Sequence, residues 1–350
     1  FVAWMDTWGR KAPSPARPPL ATTPFPLLPD SMLWCHPRLD GNMFTVNRAL
    51  ALQLLENRQA VDFIAAVKKV IGLEKPIAPP KIVQGPPFQV WAHELQEMLL
   101  SPAKGIELPA TLLSPVDQSQ HNGAVLFFDE RGRWTELRQQ KWLADLAHFL
   151  QMDRAHASIM TVDLRGWGDT QPADLPYEIA AWGHSTRWIA YVSAAIGDPV
   201  LAMRVRDGLA SLAALRAVKA INGDKIVVAG YGMGGVVALH VAALDGNTAG
   251  VFAVNSLASF TDLAVSEKYA WSHDAFLPNV LYYYDLPDLA ARVTVPVLLL
   301  NPLDAEKNGL TPARIEKIYS AARQNNRLLQ VEQSDRVISI LRPWVEKLIY

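Results

Sequence analysis

Cysteine is almost absent from this sequence. Cys35 is the only one among 350 residues, so the chain can form neither an internal disulfide nor a cysteine-based zinc site. An excess of one charge is also missing, because 33 lysines and arginines nearly balance 34 aspartates and glutamates and leave a net charge of −1. Without a basic excess to neutralise phosphates, we do not expect binding to nucleic acid.

Long apolar runs are lacking as well. Uninterrupted stretches such as Val297–Leu300 are far shorter than the roughly 20 residues that span a bilayer, so no membrane span is predicted. No spacing of His, Cys, Asp or Glu indicates a metal site, and we expect no cofactor. Half of the residues are apolar, which is enough to bury a large core and excludes a disordered chain.

The first 87 residues differ in composition from the rest. The chain begins with FVAWMDTWGRK rather than with Met, and the helical spacing of its apolar residues predicts that residues 1–9 are the remnant of a preceding domain's last helix. Seven prolines within residues 11–30 indicate an extended linker, and a helical pattern follows over residues 47–72. We therefore predict that residues 10–87 are a proline-rich linker with a helical segment.

From residue 88 onward, strand and helix patterns alternate. The strongest helical pattern covers residues 201–219, with Arg204 predicted to lie away from the apolar face. Such alternation predicts βαβ units and a mostly parallel sheet with helices on both faces, which is an α/β domain over residues 88–350. The predicted strands are 106–113, 124–128, 158–162, 225–229, 250–254, 295–300 and 328–332.

One glycine-rich turn, Gly230–Gly235, joins a buried strand directly to a helix. It fits the G-x-G-x-x-G pattern of a dinucleotide-binding loop. That pattern requires an acidic residue about 20 positions further on, where this chain has Asn255 and Ser256. Nucleotide binding at this turn is one hypothesis, and it predicts a thermal shift with common dinucleotides.

The same turn fits the nucleophile elbow G-x-S-x-G, with Gly232 in the place of the serine. With the segment DLRGWGD at 163–169 and the segment NPLD at 301–304, it resembles the α/β-hydrolase family, in particular the acetyl-xylan-esterase and dienelactone-hydrolase-like branch. The resemblance covers about residues 90–350. It implies the α/β-hydrolase fold, and it favours a secreted or periplasmic location.

The resemblance also implies roles for individual residues. It matches the family's acid to Asp304, after the strand at 295–300, and it matches the backbone donors of the oxyanion hole to Met233 and Glu130. A histidine should follow the last strand, but none occurs after His273. Two triad positions therefore lack the required chemistry, because glycine supplies no nucleophile and no imidazole is present to move the proton.

Two functional hypotheses follow from the resemblance. In the first, the chain is a non-catalytic domain, the degenerate second half of a tandem esterase-like protein. It supports an upstream hydrolase domain or subunit and keeps a crevice for a carbohydrate or acyl ligand. In the second, it is a carboxylic-ester hydrolase with a displaced nucleophile, such as Ser256, and with His273 or His184 as a substitute base. The second hypothesis requires these side chains to converge at the elbow.

Overall fold

The structure is a computed structural model. It describes residues 29, 32, 41–58, 62–90, 93–116, 122–138, 142–152, 157–172 and 185–349. Residues 1–42 and 43–350 are two compact units, and the fold below is that of the second unit. The predicted remnant at residues 1–9 and Cys35 lie outside the described residues.

The described strands form one ten-stranded sheet. Its order is β1-β3-β4-β6-β5-β7-β8-β9-β10, with β2 also paired to β3. In this order, the neighbouring strands β6, β5, β7, β8, β9 and β10 are parallel. The pairs among β1 to β4 and the β4–β6 pair are antiparallel. The strands are β1 Lys81–Gln84, β2 Phe88–Val90, β3 His93–Ala103, β4 Ile106–Pro115, β5 Asn122–Asp129, β6 Ser158–Val162, β7 Ile221–Tyr231, β8 Gly250–Val254, β9 Val297–Leu300 and β10 Leu329–Glu332.

Helices cover both faces of this sheet. They are α1 Met43–Glu56, α2 Phe63–Ile71, α3 Thr135–Arg138, α4 Trp142–Met152, α5 Ser185–Ala195, α6 Val200–Arg216, α7 Met233–Asp245, α8 Phe260–Val265, α9 Leu286–Arg292, α10 Pro312–Asn325 and α11 Val337–Ile349. One apolar core contains residues of α2, α6, α7, α9 and α10, and a second core contains residues of α4 and α11. None of the helices in the described ranges has the length and hydrophobicity that a bilayer crossing needs.

Burial explains why the central strands were recognisable in the sequence. Every residue of β6, β8 and β9 is buried, because helices cover both faces of a parallel sheet and favour continuous apolar runs. The predicted mostly parallel sheet with helices on both faces is confirmed. Part of the region predicted as a linker, residues 10–87, belongs to this fold. The compact unit begins at Met43, and β1 pairs with β3.

The prediction for Arg204 is wrong. Its side chain is only 2% exposed, because polar partners replace the water it loses. Its Nε donates to the Arg165 carbonyl at 2.7 Å, and its Nη2 lies 2.7 Å from Asp274 Oδ2. The guanidinium carbon lies 4.3 Å from the centre of the Trp167 ring. Helix α6 is therefore buried on this side too, which a simple amphipathic pattern does not predict.

Candidate functional site

The glycine-rich turn lies between β7 and α7, at the carboxyl end of the parallel strands. Gly232 has φ +59° and ψ −127°, a conformation that glycine adopts far more easily than residues with a side chain. Its neighbours are in very close contact, since a Cβ on Gly234 would lie 2.1 Å from the Phe128 carbonyl oxygen. The chain thus makes the sharp strand-to-helix turn of a nucleophile elbow, and position 232 carries no side chain.

A carboxylate lies directly above this turn. The Met233 backbone N–H donates to Glu130 Oε2 at 3.0 Å, and the Lys307 ammonium donates to Glu130 Oε1 at 3.1 Å. A Cβ on Gly232 would lie 2.5 Å from the carboxyl carbon of Glu130. The Glu130 side chain therefore fills the space into which a side chain at position 232 would extend. We call the space above Gly232, between Glu130 and Lys307, the crevice.

The loop that carries Glu130 is fixed by its neighbours rather than by Glu130 itself. Asp129 is buried and accepts three hydrogen bonds from Arg131. One carboxylate oxygen accepts the backbone N–H and the Nε–H at 2.9 Å each, and the other accepts the Nη2–H at 2.8 Å. Burial raises the pKa of Asp129, and the hydrogen bonds and charge of Arg131 oppose that rise. Arg131 also pairs with Glu136, and its guanidinium carbon lies 3.5 Å from the centre of the Tyr231 ring.

Asp304, matched to the family's acid, follows β9 as expected. One carboxylate oxygen accepts the backbone N–H groups of Glu306 and Asn308 at 2.9 Å each. The other oxygen lies 2.9 Å from Arg314 Nη1. Both oxygens thus take part in holding the loop after β9, and this geometry gives Asp304 a structural role. Its proposed family role stays a prediction.

The segment after β10, where the family places its histidine, is tied to the loop after β9. The Ser334 N–H donates to Asn301 Oδ1 at 2.7 Å, and Asn301 Nδ2 donates to the Ser334 carbonyl at 2.9 Å. These two hydrogen bonds join the two loops at the carboxyl edge of the sheet. The segment contributes no imidazole, as the sequence states.

Two of the proposed substitute residues, Ser256 and His273, line different cavities. Ser256 is 5% exposed and lines a cavity of about 10 Å³ with Gly235 and Tyr319. His273 lines a different cavity of about 240 Å³ with Tyr191. The centres of the His273 and Tyr191 rings are 5.6 Å apart. Burial, with a contribution from the Arg187 charge, lowers the pKa of His273. No hydrogen bond between described residues joins Ser256 to His273.

Three further expectations concern His184, a metal ion and a nucleotide. His184 lies outside the described residues, so its role as a substitute base stays a prediction. Within the described ranges, no group of three or more His, Cys, Asp or Glu side chains could hold a metal ion. Nucleotide binding at Gly230–Gly235 also stays a prediction, although the Met233 N–H at this turn is already engaged by Glu130.

Sequence reasoning missed the part played by two side chains. Glu130 was considered for its backbone, whereas its carboxylate is what contacts the elbow. Lys307 was not considered, because no motif marks it. Its placement depends on the turn in which its N–H donates to the Asp304 carbonyl at 3.1 Å. Only the proximity of Lys307 to the acid position, three residues along the chain, could have drawn attention to it.

Of the comparisons with known proteins, the one with solved structures finds proteins of the same fold. No protein-family model matches the sequence, and no curated protein sequence matches it. A Bacteroides fragilis protein assigned as an acetyl xylan esterase has 14% identity and a TM-score of 0.63, covering 85% of this chain and 84% of that one. The acetyl xylan esterase of Paenibacillus sp. R4 has 14% identity and a TM-score of 0.59, covering 85% and 99%. A glucuronoyl esterase of Teredinibacter turnerae has 14% identity and a TM-score of 0.52, covering 87% and 84%.

Proposed function

Because this chain has the α/β-hydrolase fold of these esterases, we propose that it is a hydrolase-fold domain that does not hydrolyse esters and that supports an esterase-like partner. The partner is an upstream domain of a longer protein or a separate subunit. The observation that carries the proposal is the elbow. Gly232 presents no atom that could attack a carbonyl, and the Glu130 carboxylate fills the space above it.

The Glu130 carboxylate also opposes the charge that ester hydrolysis develops. In hydrolases of this fold, the amide after the nucleophile donates to the oxyanion of the tetrahedral intermediate. Here the Met233 amide donates to Glu130 instead. The carboxylate repels an oxyanion that approaches the same amide, and the Lys307 ammonium, 3.1 Å from Glu130 Oε1, offsets part of that repulsion.

The histidine that the family places after its last strand is missing as well. No histidine follows His273 in the sequence, and both oxygens of Asp304 are engaged within their loop. Loss of the nucleophile or the base of such a triad costs on the order of 10⁶ in turnover. The missing groups and the occupied amide therefore support the same conclusion by independent routes.

The chemistry of the partner is proposed from the fold neighbours. Their names, acetyl xylan esterase and glucuronoyl esterase, favour esters of carbohydrates as the partner's substrates. A domain that keeps the same sheet and helices without the reaction can stabilise or orient such a partner. It can also contribute a surface for a carbohydrate or acyl ligand.

Covalent labelling tests the catalytic half of the proposal. We expect no stoichiometric labelling of the chain by a fluorophosphonate, and no hydrolysis of p-nitrophenyl acetate above a heat-denatured control. Gly232→Ser should not restore either, because it supplies no base. Stoichiometric labelling of the unmodified chain, or turnover in the usual enzymatic range of roughly 1–10³ s⁻¹, would contradict the proposal.

The supporting half is tested in a longer polypeptide that includes an esterase-like domain ahead of this chain. Removing residues 43–350 should lower the melting temperature of that esterase, whereas Gly223→Ala, whose Cβ would make only ordinary contacts, should leave its turnover unchanged. An esterase that is equally stable and active without residues 43–350 would refute the supporting role.

A further inference from the structure

Two loops meet above the elbow from opposite sides. Glu130 follows β5, and Lys307 lies after β9, while β7 and β8 lie between these strands in the sheet. The Glu130–Lys307 ion pair therefore spans the crevice directly over Gly232. The two residues are 177 positions apart, so only the assembled sheet brings them together.

The Lys307 side chain is 38% exposed and contacts an aromatic ring as well as Glu130. Lys307 has φ +62°, a conformation that costs a residue with a side chain about 1 kcal/mol or more. Its ammonium lies 4.6 Å from the centre of the Trp271 ring. The Trp271 Nε1–H donates to the Asp304 carbonyl at 2.8 Å, so the ring is tied to the same turn as Lys307.

The Glu130 side chain, in contrast, is not needed to hold its own loop. Arg131 pairs with both Asp129 and Glu136 within this loop region. The Glu130 side chain is 18% exposed, and its hydrogen-bond partners among the described residues are Met233 and Lys307, both outside that network. Its departure from the elbow would break two hydrogen bonds and would leave the backbone turn in place.

We propose that the Glu130 side chain is an intramolecular plug of the elbow and that Lys307 latches it there. The inference rests on the proposed function and adds to it a contact that blocks ligand binding at the elbow. The plug satisfies the Met233 amide and the Lys307 ammonium, which together would bind a small carboxylate. Because a tethered group competes at an effective concentration in the millimolar range or above, the unmodified chain binds free carboxylates weakly.

Glu130→Ala removes the plug and leaves both of its partners. The test uses acetate as the probe and selective ¹⁵N-methionine labelling, since the chain has only eight methionines. Met233→Leu identifies the Met233 amide signal. We expect Glu130→Ala to shift this signal, acetate to shift it back towards the position in the unmodified chain, and the Kd for acetate to be at least tenfold lower than in the unmodified chain.

Controls separate the plug from a general effect of charge. Glu306→Ala removes an exposed acid from the loop that carries Lys307 and should leave the acetate affinity within twofold of the unmodified chain. The double variant Glu130→Ala with Lys307→Met should bind acetate at least tenfold more weakly than Glu130→Ala. Acetamide, which is neutral, should not shift the Met233 signal in any variant.

Several results would overturn the plug. They are an equal acetate Kd with and without the Glu130 carboxylate, an equal response to acetamide, or no loss of binding on removing Lys307. Such results would leave the absence of fluorophosphonate labelling untouched. Conversely, labelling of the unmodified chain would refute the proposed function even if acetate bound as expected. The two proposals therefore fail in distinguishable ways.

Discussion

At the scale of single residues, His240 and Tyr284 show how a polar group is accommodated where α7 packs in the apolar core. Both side chains are buried. The Val236 carbonyl can only accept a hydrogen bond, so His240 Nδ1 carries the proton and donates to it at 2.8 Å. His240 Nε2 then accepts from the Tyr284 hydroxyl at 3.0 Å. Burial lowers the pKa of His240 to about 4, so the imidazole is neutral at physiological pH.

This pKa predicts a loss of stability in acid. Between pH 6.5 and 4 the unfolded chain protonates His240 and the folded chain does not, so the free energy of unfolding falls as the pH falls. The loss from this residue should be about 2–3 kcal/mol between pH 7 and pH 4.5. Urea unfolding at several pH values should show a flatter profile for His240→Gln. The exposed His148→Gln should keep the steep profile, and parallel profiles for all three proteins would refute the assignment.

The same scale explains why the crevice was only partly predictable. The absent nucleophile and histidine can be read from the sequence, because they are statements of residue identity. The contact of Glu130 with the Met233 amide cannot, because it depends on the rotamer of a side chain in a loop. Arg204 fails for a related reason: its burial is stabilised by Asp274 and Trp167, which lie on other parts of the chain.

At the scale of elements, α7 approaches the sheet more closely than a side chain would allow. A Cβ on Gly230 would lie 2.1 Å from the carbonyl carbon of Gly234, and a Cβ on Gly235 would lie 2.7 Å from the Ala253 Cβ. The glycines are thus required by packing between β5, β7, β8 and the first turn of α7. This packing need is satisfied whether or not position 232 carries a nucleophile.

Gly234→Ala should therefore be strongly destabilising. Its Cβ would lie 2.1 Å from the Phe128 carbonyl oxygen and 2.6 Å from its carbonyl carbon, and backbone atoms cannot move aside as a flexible side chain can. We expect a loss of about 3 kcal/mol in the free energy of unfolding by urea. Gly223→Ala is the matched control, since its nearest contact would be an ordinary 3.4 Å. Equal unfolding midpoints for the two variants would contradict this account of the elbow.

At the scale of the whole molecule, the fold includes residues 43–87, which composition alone assigns to a linker. Helix α2 has an Asp62 side-chain cap at its start and a left-handed Gly72 at its end. It buries Val67 and Ile71 in the core shared with α6 and α7. Strand β1 adds to the sheet beside β3. The proline-rich composition around these elements predicted a linker, because proline counts do not report tertiary contacts.

Two fragments test this organisation. The fragment 43–350 should unfold cooperatively, whereas the fragment 88–350 lacks α1, α2 and β1 and exposes part of the core. Loss of the burial of Val67 and Ile71 alone should cost about 3–6 kcal/mol, so the melting temperature of 88–350 should be lower by roughly 10 °C. Calorimetry that gives equal melting temperatures would place the structural boundary at residue 88 after all.

The sequence by itself predicted the seven strands from β4 to β10, because continuous apolar runs are a local property of a chain that covers both faces of a sheet. It did not predict β1, β2 or β3. It also determined that position 232 has no nucleophile and that no histidine follows the last strand. Only the tertiary structure decided what fills the crevice instead. Glu130 and Lys307 are far apart in the chain, and the ends of the parallel strands place their charges together above Gly232.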